Sequence, residues 1–124
     1  MSLVRSAEAR RTSTPNGVMT TFASPTLGGA DQALWRVEMA PGATGPVHAM
    51  DSPQVWTVLD GGAVVTVAGE DCLVGAGDTL VLDAGVVRRI AADGRSGMTA
   101  IVTGRGGSHA LRDGEPDVVP PWIA

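Results

Sequence analysis

Glycine and proline interrupt this chain more often than a helical protein tolerates. Seventeen glycines and eight prolines are spread over 124 residues, and past Pro15 only residues 30–40 run longer than eight positions without one of them. An amphipathic helix needs ten or more residues carrying an apolar stripe at a 3.6-residue period, and no segment shows one. The apolar runs between interruptions are short and rich in valine, the residue type that fits a pleated surface. Strands are therefore expected at Val18–Ala23, Ala33–Met39, Val47–Met50, Gln54–Leu59, Ala63–Ala68, Asp71–Val74, Thr79–Leu82, Val86–Ala91 and Met98–Thr103. Turns are expected at Ser24-Pro25, Pro41-Gly42, Gly61-Gly62, Gly69-Glu70, Gly75–Asp78, Ala84-Gly85 and Asp93-Gly94. So many short strands in succession imply an all-β sandwich, jelly roll or small barrel.

An apolar content of 44% in a chain of this length supports one hydrophobic core and a single domain. Residues 1–14 are polar and read as a flexible arm, 15–110 as the barrel, and 111–124 as a tail lying on the barrel or on a second subunit. No apolar run approaches the roughly 20 residues of a membrane helix, and the first residues lack the apolar stretch of a signal peptide, so the expected location is cytoplasmic with no membrane partner. The net charge of −4, with all nine basic residues arginine, argues against a nucleic-acid binder. A single cysteine, Cys72, excludes a disulfide framework and a thiolate cluster, and its apolar strand makes it a small core residue.

Gly42, His48, Met50, Gln54 and Gly61 reproduce the spacing of the first motif of the cupins, in which Gly, two His, Glu and Gly stand at those steps. Gly77, Asp83, Gly85, Arg88 and Ala92 reproduce the spacing of the second, whose steps carry Gly, Pro, Gly, His and Asn, with fifteen residues between the two. The chain thus resembles a small single-domain cupin. The resemblance implies a double-stranded β-helix, a jelly-roll barrel with a small-molecule pocket at one mouth. In metal-holding cupins the two His and the Glu of the first motif converge with the His of the second on a divalent ion. Here those positions hold His48, Met50, Gln54 and Arg88. A thioether, a neutral amide and a guanidinium without a lone pair leave a poor site for a divalent cation, so no cofactor is expected.

Strand alternation places His48 and Met50 on one inward face, Gln54 and Trp56 on that of the next strand, and Arg88 inward with Arg89 outward. That set is an aromatic wall, a flexible apolar filler and three polar groups, the mixture of a small-ligand site. Arg88 is read as anchor for a carboxylate or enol oxygen, or else as the partner of an aspartate such as Asp51 or Asp83. Gln54, Trp56 and Met50 are read as ligand contacts, and His48 as the group suited to proton transfer in an isomerase, cyclase or lyase type of reaction. The alternative for His48 is a hydrogen bond to Gln54 or to backbone, and His109 is expected in a solvated loop. Two other readings stay open: a metal-dependent oxygenase or isomerase built on His48 and Gln54, and a non-catalytic binding or accessory protein. The apolar tail Pro120-Pro121-Trp122-Ile123 is expected to favour a homodimer by offering surface to a second copy.

Overall fold

The computed structural model describes all residues, 1–124. Ten strands run in chain order: β1 Arg10–Thr14, β2 Gly17–Ala23, β3 Gln32–Met39, β4 Ala49–Met50, β5 Gln54–Val67, β6 Glu70–Gly75, β7 Thr79–Leu82, β8 Arg88–Ala92, β9 Met98–Arg105 and β10 Ala110–Leu111. Two single turns of 3-10 helix, Ser6–Glu8 and Pro121–Ile123, are the only helical elements. All strand pairings are antiparallel. One sheet has the order β1-β2-β3-β9, then the first half of β5, then β7. The second half of β5 pairs with β6 and β8 to build the facing wall. Bridges His48↔Arg88 and Thr44↔Ala91 lay the segment before β4 against β8. The chain is all-β and a single domain, and no helix is long and apolar enough to cross a membrane.

Strand β5 serves both walls because Gly61-Gly62, expected as a hairpin turn, is instead a bend within one continuous strand. Pairing passes without a break from Gly61↔Met98 to Gly62↔Gly75, just after an irregularity at Val58/Asp60. Gly61 has φ +69°, and a Cβ there would overlap the Gly97 carbonyl oxygen. Two backbones meet where any side chain would hold them apart, so Gly61 is required. Alternation then sets the core: Trp35, Val37 and Met39 of β3 point inward while Arg36 and Glu38 pair on the outside at 3.1 Å. Val58, Ala63, Val65, Ile90, Ala92, Met98, Ala100 and Val102 fill the interior from the other strands.

Two expectations need correction. The arm expected over residues 1–14 is ordered secondary structure from Ser6 onward, because Arg10–Thr14 pairs in full with β2 through the Pro15-Asn16 turn. Cys72 is exposed and not a core residue: it shares the register of buried Val65 but stands on β6, an edge strand with no neighbour beyond it. Of the two places expected for the tail, it takes the one on its own barrel. Ile123 is 1% exposed, Thr21 Oγ1 donates to the Trp122 carbonyl at 2.7 Å, and Arg10 Nη2 and Thr26 Oγ1 donate to the Ala124 oxygen. Pro120 and Ile123 of the apolar segment are thus buried within the chain, while Pro121 stays exposed.

Candidate functional site

A cavity of about 350 Å³ opens between the two walls. Its interior face carries all five residues singled out from the sequence, His48, Met50, Gln54, Trp56 and Arg88. The backbone explains their convergence. His48 and Arg88 form a hydrogen-bonded antiparallel pair, His48 N–H to Arg88 O at 3.1 Å and Arg88 N–H to His48 O at 2.9 Å, so their side chains leave on the same face. Gln54 enters from the opposite wall at the start of β5, opposite Gly104, where a Cβ would come within 3.2 Å of the Gln54 side chain. The missing side chain leaves room for the amide to turn inward.

Arg88 is 2% exposed, yet no carboxylate meets it. Its Nη2 donates to Gln54 Oε1 at 2.6 Å, while Nε and Nη1 are buried without a partner. Neither aspartate considered as its partner serves: Asp51 binds the ring and backbone N–H of His109 instead, at 3.0 and 2.8 Å, and Asp83 makes no ion pair with it. His109 lies in an exposed loop, as expected, and is tied there to Asp51. Burial without compensating charge pulls the Arg88 guanidinium down from its ordinary value to about 10, which still leaves it cationic at neutral pH. Trp56 Nε1 also donates to Gln54 Oε1, at 3.2 Å. Both bonds land on the oxygen of the amide, so neither N–H of Gln54 is consumed by them.

His48 Nδ1 lies 3.0 Å from the Pro46 carbonyl oxygen. A carbonyl only accepts, so Nδ1 carries the proton and the lone pair of the neutral ring sits on Nε2. Its pKa is lowered from 6.5, mainly because burial disfavours the charged ring; the Pro46 contact opposes this, and Arg88 and Arg112 reinforce it by charge repulsion. The ring is therefore a neutral base at physiological pH.

Sequence reasoning missed part of the wall. Trp35, Val37 and Met39 of β3 and Met19 of β2 line the cavity, as do Trp122 from the tail and Arg112 and Glu115 from the loop before it. Trp35 was legible only as an inward residue of β3, and nothing local in the sequence brings residues 112–122 to the mouth. That placement comes from the pairing of β10 with β4 and the bridge Ala110↔Val118.

A profile of the cupin domain matches residues 35–104, more than half of the chain, and the chain belongs to this family. Its fold is similar to that of an RmlC-like cupin from Shewanella frigidimarina, with a TM-score of 0.69 and 17% identity over 84% of this chain and 90% of that one. It is similar also to the polyketide cyclase RemF from Streptomyces resistomycificus, with a TM-score of 0.76 and 17% identity over 94% of this chain and 87% of that one. KdgF from Halomonas sp. gives a TM-score of 0.70 and 20% identity over 84% of this chain and 94% of that one. No curated protein sequence matches the chain.

Many cupins hold a divalent metal at the positions of His48, Met50, Gln54 and Arg88, and the donors present here do not fit one. Only His48 offers a strong ligand; the Gln54 oxygen already accepts two hydrogen bonds, one from a cation 2.6 Å away. A metal ion there would face the Arg88 charge at close range with no carboxylate to offset either. Nowhere in the chain do three His, Cys, Asp or Glu side chains converge in a metal-binding arrangement.

Proposed function

We propose that the barrel binds a small organic molecule bearing a carboxylate, an enolate or a similar oxyanion, without a metal, and that His48 moves a proton on it. The observation that carries this reading is Arg88: a buried cation with two unpartnered nitrogens, on the lining of a cavity that contains no unpaired carboxylate. A buried guanidinium left in that state is costly, and an anion is the partner that would relieve it. The free N–H groups of Gln54 add neutral donors at the same place.

His48, fixed with its lone pair on Nε2, would take a proton from a carbon or hydroxyl made acidic by the neighbouring oxyanion. Returning that proton to another atom of the same molecule gives isomerisation; returning it to a departing hydroxyl gives dehydration or the closing step of a cyclisation. In each case Arg88 holds the negative charge that develops on oxygen while the proton is on His48. No electron donor or acceptor is needed.

Isothermal titration of the protein with a panel of carboxylates and stable enols tests the binding step. At least one ligand is expected to bind the wild type and to lose roughly hundredfold in affinity with Arg88→Met, the worth of a charge-assisted pair. Equal affinity in the variant would remove Arg88 as anchor. The metal-dependent alternative is tested by elemental analysis after incubation with iron, manganese, nickel and zinc: stoichiometric metal that disappears in His48→Ala would establish it against this proposal.

A further inference from the structure

We infer that the ligand is a flat, conjugated monoanion, held with its ring system among Trp35, Trp56 and Trp122 and its anionic oxygen on Arg88. The inference rests on the reading of Arg88 as anion anchor and adds the chemical class of what is bound.

The distribution of large polarizable side chains carries it. The chain has three tryptophans, one phenylalanine and no tyrosine, and all three tryptophans line the one cavity. Met19, Met39 and Met50 line it as well. Elsewhere the interior carries no aromatic ring and is mostly small aliphatic residues such as Ala63, Val65, Ala92 and Ala100, with Leu82, Met98 and Ile123 the larger members. A core that needed only volume would spread its rings through the barrel; gathering every indole around one open space builds surfaces suited to a π-system, with thioethers that add favourable sulfur–aromatic contacts.

The indoles are also fixed in place before any ligand arrives. Trp35 is 1% exposed on β3, Trp56 is tethered through Nε1 to Gln54, and Trp122 is held by the Thr21 bond to its carbonyl and by the buried Ile123 beside it. Pre-set aromatic faces favour a rigid planar partner over a flexible chain, because neither side then loses much freedom on binding. A cavity of about 350 Å³ lies at the low end for ligand sites and suits a molecule of about two fused rings. The charge of the ligand follows from the lining. Its one acid, Glu115, is neutralised by Arg112 at 3.1 Å, and His48 is neutral, which leaves Arg88 as the single uncompensated charge.

Calorimetric titration of the full chain at neutral pH with three probes separates shape from charge: 2-naphthoate, its saturated counterpart decahydro-2-naphthoate, and neutral 2-naphthamide. The saturated acid has the same skeleton and charge but is bulkier and more apolar, so burial of area alone would favour it. The expected result is roughly tenfold tighter binding of 2-naphthoate than of the saturated acid, as stacking on two or more indoles supplies. Trp122→Leu is expected to narrow that preference; if this variant does not fold, the wild-type comparison stands by itself. Equal or tighter binding of decahydro-2-naphthoate would overturn the inference while leaving Arg88 as anchor. Equal binding of 2-naphthamide would instead overturn the anion anchor and with it the monoanion assignment. Failure of all three to bind at millimolar concentration would overturn the inference as well.

Discussion

The two ends of the barrel are built from the same strands on opposite rules. At the bend of β5 the interior is Val58 and Ala63, facing Ala92, Met98 and Ala100, and the Gly61 and Gly97 backbones touch. At the mouth the ends of the same strand meet one side chain: Gln54 bonds Arg88, and Val67 lies opposite it in register. The closed end has small apolar residues at close contact. The mouth has a buried charge with two unpartnered nitrogens, a desolvated imidazole and an open cavity. Stability therefore resides at the bend, and the mouth retains groups that a purely structural core would exclude, the usual mark of a functional site.

If that division holds, substitutions at the two ends should separate stability from binding. The largest loss of stability is expected from Gly61→Ala. Its φ of +69° disfavours any side chain, and the new Cβ would meet the Gly97 carbonyl, a backbone atom that cannot swing aside. Urea unfolding should show a destabilisation of about 3 kcal/mol, and a variant as stable as the wild type would mean that the bend is not a fixed point of the fold. Arg88→Met is expected to do the reverse. Removing an under-bonded buried cation in favour of an apolar side chain should leave stability unchanged or raise it by about 1–2 kcal/mol, while weakening anion binding roughly hundredfold. A large loss of stability would show that Arg88 is part of the structural core after all.

The same division governs what could be read in the sequence. Period-two alternation in segments such as Trp35-Arg36-Val37-Glu38-Met39 places the buried face without ambiguity, because the structure buries the odd positions. Glycine was legible as punctuation but not as geometry: Gly61-Gly62 looks identical whether the chain reverses or bends in place, and the long-range contact with Gly97 decides between them. At the mouth, the motif spacing brought His48, Met50, Gln54 and Arg88 into one cavity on its own. The absence of a carboxylate beside Arg88 was not legible, since Asp51 adjoins Met50 and Asp83 precedes Arg88 on the approach to β8, and only the structure shows Asp51 engaged by His109. Nor were Trp122, Arg112 and Glu115, which reach the mouth through two-residue pairings too short to leave a pattern.

A smaller effect, on pH dependence, sharpens the comparison from the side of the mouth. Because the folded protein lowers the His48 pKa below 6.5, protonation favours the unfolded chain. The stability that this neutral ring permits is fully present above the unfolded value of 6.5 and is lost as pH falls through the lowered folded value. Urea midpoints measured from pH 8 down to 5 should thus fall more steeply in the wild type than in His48→Gln. Parallel curves would show that His48 is not desolvated as the structure indicates.

The smallest effect is expected from Arg112→Gln. Its pair with Glu115 is solvent-exposed and spans three residues, so removing it should change stability by no more than about 0.5 kcal/mol. Its influence on His48 is real but ranks behind that of Arg88, which acts on the ring more strongly. Following the His48 ring by NMR titration should therefore show the midpoint rising in Arg112→Gln and rising further in Arg88→Met. An equal or larger rise in Arg112→Gln would move the electrostatic centre of the mouth from the buried guanidinium to the exposed one, and the anion would have to be sought at the rim.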